Sequence, residues 1–443
     1  MCGLRICATQ GDFQMKPLYK YTLEELQLFK LRAEKDYAAY CKKGLSLDMS
    51  RGKPGVDQLS VSNGVLDAIT SKDWENSGEM SLDYRNYGVL RGIWDCRKMF
   101  AQLFEVDMEN VIVCGNSSLN MMFDYVTQCM LKGAGDKPWF GQKIKFLCPV
   151  PGYDRHFAIC EYYDIEMVNV PMLEDGPDMD IIEELVKDES VKGMFCVPKY
   201  SNPTGITFSK AVVDRIARLE PAAKDFRIIW DNAYCIHDLT NNGDTLVNIF
   251  PLLKKYRHDD MVVEFTSTSK VSFPGSGVAA LTASDNNIAM ITERMRHQTI
   301  GYDKLNQYRH VKFYRNADGL REHMKLHRRI LAPKFHAVID ELESQLSGLD
   351  IATWTHPHGG YFINFDVMPG TATRVGELCK NAGVVLTPVG ATFPYGKDPE
   401  DKNIRIAPSY PPVNELLTAT KLLCICTKLA AVEKLLEQRL NTK

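Results

Sequence analysis

Short apolar runs alternate with amphipathic stretches through the middle of the chain, and this alternation constrains the fold more than any other feature. It is typical of an α/β fold with a mostly parallel sheet. One amphipathic stretch, Leu119–Met130, predicts a helix that faces the core and stops at Gly133. The runs predicted as strands are Val111–Cys114, Ile144–Cys148, Met194–Val197, Arg227–Trp230, Met261–Phe265 and Val278–Leu281.

The pattern changes near residue 320, where a long helix is predicted from about Arg321 to Gln345. Fewer strands follow, and a closing helix is predicted over 414–440. We therefore predict a large domain over residues 66–320 and a smaller α/β domain over 321–443, with residues 1–65 contributing to the smaller one. The strands predicted there are Tyr361–Asp366, Val384–Thr387 and Ile404–Ala407.

Composition excludes several classes of protein. The 443 residues are 25% charged with a net charge of −3, which offers no broad surface to nucleic acid or to an anionic membrane. No apolar run reaches the roughly 18 residues of a membrane span. The 13 cysteines are scattered without zinc-type spacing, so we expect no metal site and a reducing, cytoplasmic compartment. The first fifteen residues lack the apolar core of a signal peptide, although a weak organelle presequence stays open.

Three polar motifs follow three of the predicted strands. Asn202 follows Met194–Val197, Asp231 follows Arg227–Trp230, and Lys270 follows Met261–Phe265. In open α/β sheets ligands bind at the carboxyl ends of the strands, so the three motifs can converge on one pocket despite their separation in sequence.

The three residues, with Tyr234, match the needs of pyridoxal phosphate. A carboxylate such as Asp231 keeps the ring nitrogen protonated, and Asn202 and Tyr234 can donate to the phenolic oxygen. Lys270 can hold the aldehyde carbon and later move a proton on the substrate. Each residue alone has an ordinary explanation as a turn, a helix cap or a surface side chain, but their order and setting together point to this cofactor.

A phosphate group requires N–H groups and hydroxyls, ideally where a helix begins. Asn116, Ser117 and Ser118 lie between a predicted strand and the helix over Leu119–Met130, where a plain serine cap is the alternative. Ser267 and Ser269 can add hydroxyls from the lysine loop.

Arg405 is the best candidate for a bidentate contact with a substrate carboxylate, although a surface arginine on a strand would look the same. The glycine pattern over 275–280 resembles a dinucleotide motif. It lacks a clear strand before it and a helix after it, so we do not expect a nicotinamide cofactor.

Several longer runs resemble one family, the fold-type I pyridoxal-phosphate enzymes of aminotransferase class I/II, and most closely its aspartate aminotransferase subfamily. The resemblance spans residues 49 to 409. The matching runs are Met49–Pro54, Tyr84–Gly88, Gly115–Leu119, Pro149–His156, Val197–Gly205, Trp230–Tyr234, Ser267–Lys270, Gly301–His310, Gly359–Phe362 and Asn403–Ser409.

This resemblance implies a large domain with a mainly parallel seven-stranded sheet between helices, a smaller α/β domain, and a homodimer with shared active sites. It implies that Tyr153 stacks on the pyridine ring and that Arg405 binds the α-carboxylate. It also implies that Tyr87 reaches the phosphate in the neighbouring subunit, with Tyr84 as the alternative.

One departure from the family concerns the phosphate. Most relatives have an arginine seven or eight residues after the lysine, where this chain has Gly277 and Val278. We expect another cation to replace it, and the candidates are Lys304, Arg309 and Lys53.

The resemblance implies transamination by a ping-pong mechanism, with L-aspartate and 2-oxoglutarate as the first substrate pair. A dicarboxylic substrate needs a second cation, for which Arg51, Arg155 and Lys199 are candidates. The alternatives are an aminotransferase, lyase or decarboxylase for another amino acid, or an inactive regulator that binds the cofactor.

Overall fold

A computed structural model describes residues 16–73 and 82–441. The predicted α/β fold is confirmed. The first fifteen residues, and with them the expectation about a presequence, lie outside the described residues. The strands are β1 Leu47–Asp48, β2 Val111–Val113, β3 Lys145–Val150, β4 Glu166–Leu173, β5 Gly176–Pro177, β6 Val191–Cys196, β7 Arg227–Asp231, β8 Val262–Ser267, β9 Ala279–Ala283, β10 Ala352–Trp354, β11 Ile363–Val367, β12 Val384–Val385 and β13 Asn403–Ile406.

Helices cover both faces of the large sheet and most of the C-terminal part. None of the described helices combines the length and the apolar character that crossing a bilayer requires. The helices are α1 Leu23–Cys41, α2 Val56–Ser60, α3 Trp94–Phe104, α4 Ser118–Lys132, α5 Asp154–Tyr162, α6 Met179–Leu185, α7 Lys210–Ala217, α8 Phe250–Tyr256, α9 Asp285–Gln298, α10 Lys304–Tyr314, α11 Ala317–Leu346, α12 Ala372–Asn381 and α13 Val413–Asn441.

The large sheet has eight strands in the order β2-β9-β8-β7-β6-β3-β4-β5. Its centre, from β4 to β8, is parallel, and the outer strands β2, β9 and β5 pair antiparallel. The resemblance implied seven strands. The additional pairing is the two-residue β5, which folds back on the end of β4.

The parallel order places the ends of β6, β7 and β8 side by side. All three strands are buried along almost their whole length, because helices cover both faces of the sheet. Asp231 is the last residue of β7, and the loops after β6 and β8 carry Asn202 and Lys270, so the topology brings the three predicted motifs to one edge.

Side chains alternate between two apolar cores, one on each face of the sheet. On one face Phe195, Ile229 and Val263 pack with residues of α4, α5 and α9. On the other face Met194, Ile228 and Val262 pack with residues of α6, α7 and α8. Rigid packing on both faces fixes the strand ends from which the site is built.

The C-terminal lobe is a separate three-stranded antiparallel sheet in the order β10-β11-β13. Its core includes buried residues of α11 and α13, α1 lies along α13, and β1 pairs with β12. In the sheet, Arg405 on β13 is paired with Asn364 on β11. The division into domains at residues 65 and 320 stays a prediction.

The predicted strands and long helices are present, with ends that differ by a few residues. The long helix begins at Ala317 and continues through Pro333. The predicted stop of α4 at Gly133 is confirmed, with its N–H donating to Cys129 O. The strand β4 was not predicted.

Candidate active site

A cavity of about 220 Å³ lies at the carboxyl ends of β6, β7 and β8. A larger open groove of about 970 Å³ lies at the opposite edge of the sheet, beside Arg227 and Met261, and none of the predicted site residues lines it. The predicted site residues that line the smaller cavity are Ser117, Ser118, Tyr153, Asn202, Asp231, Tyr234, Ser267, Ser269 and Lys270.

Asp231 is the last residue of β7 and is buried. Its Oδ2 lies 3.0 Å from Nε2 of His156, whose ring stacks on Phe195. Its Oδ1 is buried and, among the described residues, has no hydrogen-bond partner. A buried carboxylate oxygen without a donor is costly, which makes this atom a binding position for a donor from outside the chain.

The amine of Lys270 lies beside a pair of aromatic rings. Its Nζ is 5.1 Å from the ring centroid of Tyr234 and 5.8 Å from that of Tyr361. Removal from water lowers the pKa of the Lys270 amine, and the negative charge of Asp231 partly opposes this. An amine with a lowered pKa is more often neutral near pH 7, which suits it to act as a nucleophile and a base.

The backbone of Lys270 is held by residues that the sequence did not indicate. The hydroxyl of Tyr361 donates to Lys270 O at 3.4 Å and accepts from Gln58 Nε2 at 2.8 Å. His237 is buried beside both Tyr234 and Tyr361. These contacts join the N-terminal segment and the C-terminal lobe to the lysine loop.

Serine side chains at and near the start of α4 line the cavity. Ser117 is the N-cap residue, but its side chain makes no capping hydrogen bond among the described residues. Ser269 Oγ donates to Asn116 O at 3.2 Å and accepts from Ser267 Oγ at 2.9 Å. Asn116 thus contributes a backbone oxygen to the loop contact, and its side chain does not line the cavity.

Arg405 reaches the same cleft from the C-terminal lobe. Its Nη1 donates to Asn202 Oδ1 at 3.2 Å and to Asp154 Oδ1 at 2.8 Å. The guanidinium carbon lies 4.9 Å from the ring centroid of Phe362, and Nε is 3.5 Å from Thr387 Oγ1. The arginine is therefore buried, positively charged and fixed from several sides.

Tyr87 does not enter this cavity. Its side chain is 80% exposed, whereas Tyr84 is buried and packs on Tyr308 with 4.9 Å between ring centroids. Of these two tyrosines, Tyr87 is the one that can reach another molecule.

His156 and Asp154 are the main site residues that sequence reasoning did not identify. Both lie in the run Pro149–His156, which was used only for its resemblance to a family. Their position in the sequence was a useful signal. Both lie within three residues after Tyr153, which was expected to stack on the cofactor ring and is the N-cap residue of α5.

Taken together, the cavity offers an amine of lowered pKa, a buried carboxylate with one open oxygen and hydroxyls at a helix start. Arg405 does not line the cavity itself, but it adds a buried positive charge next to it through its bond to Asn202. This set can attach a carbonyl compound, stabilise a protonated ring nitrogen, and bind a phosphate and a carboxylate.

Comparisons with known proteins agree with this chemistry. The model of the aspartate amino-transferase family matches residues 22–439. A protein of Mycolicibacterium smegmatis is 47% identical over 408 residues, which cover 91% of this chain and 95% of that protein. An aspartate aminotransferase from Corynebacterium glutamicum is 43% identical over 419 residues, which cover 94% of this chain and 96% of the relative.

The fold is shared as well. The crystal structure of an aspartate transaminase from Corynebacterium glutamicum superposes with a TM-score of 0.93 at 42% identity, covering 95% of this chain and 100% of that one. The chain therefore belongs to the aspartate aminotransferase family and is an aminotransferase.

Proposed function

We propose that this enzyme uses pyridoxal phosphate to transfer the amino group of L-aspartate to 2-oxoglutarate by a ping-pong mechanism. The observation that carries the proposal is the presence, in one cavity, of the Lys270 amine and of the Asp231 carboxylate, whose Oδ1 has no hydrogen-bond partner in the described part of the chain. A protonated pyridine nitrogen is the kind of donor that this oxygen lacks. Aspartate is supported by the names of two relatives, and 2-oxoglutarate by the resemblance to the family.

Pyridoxal phosphate, when bound, supplies an electron sink that makes the α-hydrogen of an attached amino acid acidic. Lys270 would hold the cofactor and afterwards carry the proton, for which its lowered pKa is favourable. Asp231, oriented by His156, would keep the ring nitrogen protonated. Arg405 would hold the substrate carboxylate, with Asn202 beside it.

For the phosphate, we propose the hydroxyls and N–H groups at the start of α4, with Arg309 as the neighbouring cation. Of the three candidates, Lys304 donates to Gly88 O at 3.2 Å and Lys53 lies over the ring of Tyr410. Arg309 instead donates to Ser276 Oγ in the loop after Lys270. A side chain at position 277 would be crowded, because a Cβ there would lie 3.2 Å from Ser269 N.

The role of Arg309 is tested by the dissociation constant of pyridoxal phosphate from R309Q. We expect it to rise about tenfold, because a hydrogen bond between charged groups stabilises by about 1.5 kcal/mol or more. K312Q is a matched control on the same helix, since Lys312 pairs with Asp73 at the surface. Equal cofactor affinity of R309Q and the unmodified enzyme would contradict the assignment.

The distal carboxylate of aspartate requires a second cation. Lys199 is buried and donates to Cys235 O at 3.0 Å and Asp238 Oδ1 at 3.1 Å. Its charge is therefore already paired within the chain, and we do not assign it to the substrate. Arg155 and Arg51 are exposed, and Arg155 lies on α5 beside Asp154. We therefore propose Arg155, with Arg51 as the alternative. R155Q should lose activity with aspartate more than with alanine, and R51Q should not.

We further propose a cytoplasmic homodimer with shared active sites. The exposed Tyr87 supports the dimer, because the family places this tyrosine at the neighbouring phosphate. Free cysteines, most of them buried, support a reducing compartment. Sedimentation of the purified enzyme and of Y87F, combined with cofactor affinity, would separate loss of assembly from loss of a phosphate contact.

The first experiment is an absorbance titration of the purified enzyme with aspartate and then with other amino acids. Loss of the long-wavelength band of lysine-bound cofactor, with release of the keto acid, is expected with aspartate. A faster reaction with another donor would replace aspartate as the substrate. Release of carbon dioxide or ammonia instead of the keto acid would favour a decarboxylase or lyase, and an unreactive bound cofactor would favour a regulator.

A further inference from the structure

The guanidinium of Arg405 already holds a carboxylate of its own chain. Nη1 has two hydrogens, and it donates to Asp154 Oδ1 at 2.8 Å and to Asn202 Oδ1 at 3.2 Å. The Arg405 side chain is only 8% exposed, whereas that of Asp154 is 33% exposed. The carboxylate of Asp154 therefore contacts Arg405 from the solvent-exposed side of the site.

This ion pair joins the two walls of the cleft. Arg405 lies on β13 in the three-stranded sheet of the C-terminal lobe, and Asp154 is the first residue of α5 beside the large sheet. Charge-assisted bonds of this length are among the stronger polar contacts in proteins. The pair therefore favours the arrangement in which the two walls are close.

A substrate α-carboxylate is chemically the same group as the side chain of Asp154. It cannot dock end-on against both terminal nitrogens of Arg405 while both Nη1 hydrogens are donated elsewhere, and two carboxylates at one guanidinium repel each other. The charge of Asp154 stays favourable after it leaves Arg405, because the first turn of a helix stabilises negative charge. Phe362 and Thr387 hold the arginine from other sides after Asp154 leaves.

We propose that Asp154 is an internal substitute for the substrate carboxylate, which must be displaced before substrate binds to Arg405. This inference rests on the proposed function of Arg405. Asp154 is a specificity-determining residue, since only a ligand whose carboxylate competes with it gains access to the arginine. It also keeps the buried guanidinium paired between turnovers.

The test is the dissociation constant of succinate, measured by calorimetry on the cofactor-loaded enzyme and on D154N and D154A. Succinate presents carboxylates but has no amine and cannot react. Both variants should bind it about five- to tenfold more tightly, because the competing carboxylate is gone. D154E should return affinity toward that of the unmodified enzyme.

A matched control separates this competition from a general change in charge. Glu161 is an exposed residue on the same helix, so E161Q removes one negative charge from α5 at a distance from Arg405. We expect succinate to bind E161Q and the unmodified enzyme equally. The cofactor absorbance and thermal unfolding of each variant verify that the fold is retained.

Unchanged or weaker succinate binding by D154N and D154A would overturn the inference and leave Asp154 as a residue that merely orients Arg405. Absence of succinate binding to every variant would also overturn it, because Arg405 would then not be a carboxylate site. A third outcome separates the two proposals. If D154N and D154A bound succinate more tightly but the unmodified enzyme transaminated no amino acid, the proposed function would be refuted and this inference supported.

Discussion

The large sheet and the C-terminal lobe both present charged side chains to one cleft, but they hold them differently. On the side of the large sheet, Asp231 Oδ1 has no partner among the described residues and Lys270 is desolvated. On the side of the lobe, Arg405 is bonded to Asp154 and Asn202. Unsatisfied groups favour a ligand that stays bound, whereas a paired group exchanges one partner for another. The difference is consistent with the proposed function, in which the cofactor stays bound on one wall and the substrate exchanges on the other.

The most severe test is K270A. We expect the rate of amino-group transfer to fall by about four orders of magnitude, because the amine that would act as nucleophile and base is lost. The thermal stability of the cofactor-free protein should not fall. K199A is the control, since Lys199 is bonded to Cys235 O and Asp238, and its loss should lower stability far more than the rate. If the rate of K270A were within tenfold of that of the unmodified enzyme, the role assigned to Lys270 on this side of the cleft would be wrong.

D231N should have the next largest effect. The substitution preserves shape but removes the charge that would face the ring nitrogen, so we expect the rate to fall by about 10²- to 10³-fold. The cofactor-free protein should be no less stable, because Oδ1 makes no hydrogen bond within residues 16–73 and 82–441 that the substitution could remove.

D225N is the matched control for D231N. Asp225 is also buried, but it is bonded to Lys192 Nζ and to Trp139 Nε1, each at 2.7 Å. Breaking this pair should cost about 3 kcal/mol of stability and leave the rate per folded molecule unchanged. If urea unfolding gave equal losses for D225N and D231N, the contrast between a carboxylate with both oxygens bonded and one with an open oxygen would be wrong.

A third prediction concerns pH. Glu264 is buried on β8 beside Asn232, and burial raises the pKa of this carboxyl from 4.5 to about 7. The folded protein prefers the protonated form, so this contribution to stability is full below pH 4.5 and is lost as the pH rises through 7. E264Q should therefore be up to about 3 kcal/mol more stable than the unmodified protein at pH 8, and equal to it near pH 4.

Urea unfolding of the two proteins at several pH values measures this difference. Buried histidines such as His310 and His327, whose pKa values burial lowers to about 4, destabilise both proteins equally in acid. They cancel in the comparison between the proteins. A difference that stays constant with pH would contradict the assignment to Glu264.

The smallest effect is expected in the C-terminal lobe. R405K keeps a positive charge but loses the planar fork, so we expect kcat/KM to fall about thirtyfold, mainly through KM. R374K is the control in the same lobe, where Arg374 pairs with Glu433 at the surface, and it should change nothing measurable. If kcat fell more than substrate affinity, Arg405 would act in the chemical step and not only in substrate binding, which would contradict the comparison.

The sequence predicted the α/β fold and the edge of the sheet at which the motifs meet, because both follow from local patterns. Buried apolar runs specify β6, β7 and β8, and a residue just after a strand lies at a known edge. It also led to Lys270 and Asp231, whose chemistry is distinctive for one cofactor.

Other features could not be predicted because they depend on contacts between distant segments. His156 is 75 positions from its partner Asp231, and Asp154 is 251 positions from Arg405. A local sequence pattern carries no information about contacts between residues that are so far apart in the chain. The strand β4 was missed for a related reason, since buried residues are interspersed with exposed ones along it and no continuous apolar run marks it.

The start of α5 has a consequence for how the length of this chain can vary. Tyr153 lines the cavity, Asp154 bonds to Arg405 and His156 bonds to Asp231, all within one helical turn. One inserted residue would rotate the side chains after it by about 100° and separate these contacts. We therefore expect insertions and deletions to be tolerated beyond Tyr162, at the far end of the helix, and not at its first turn.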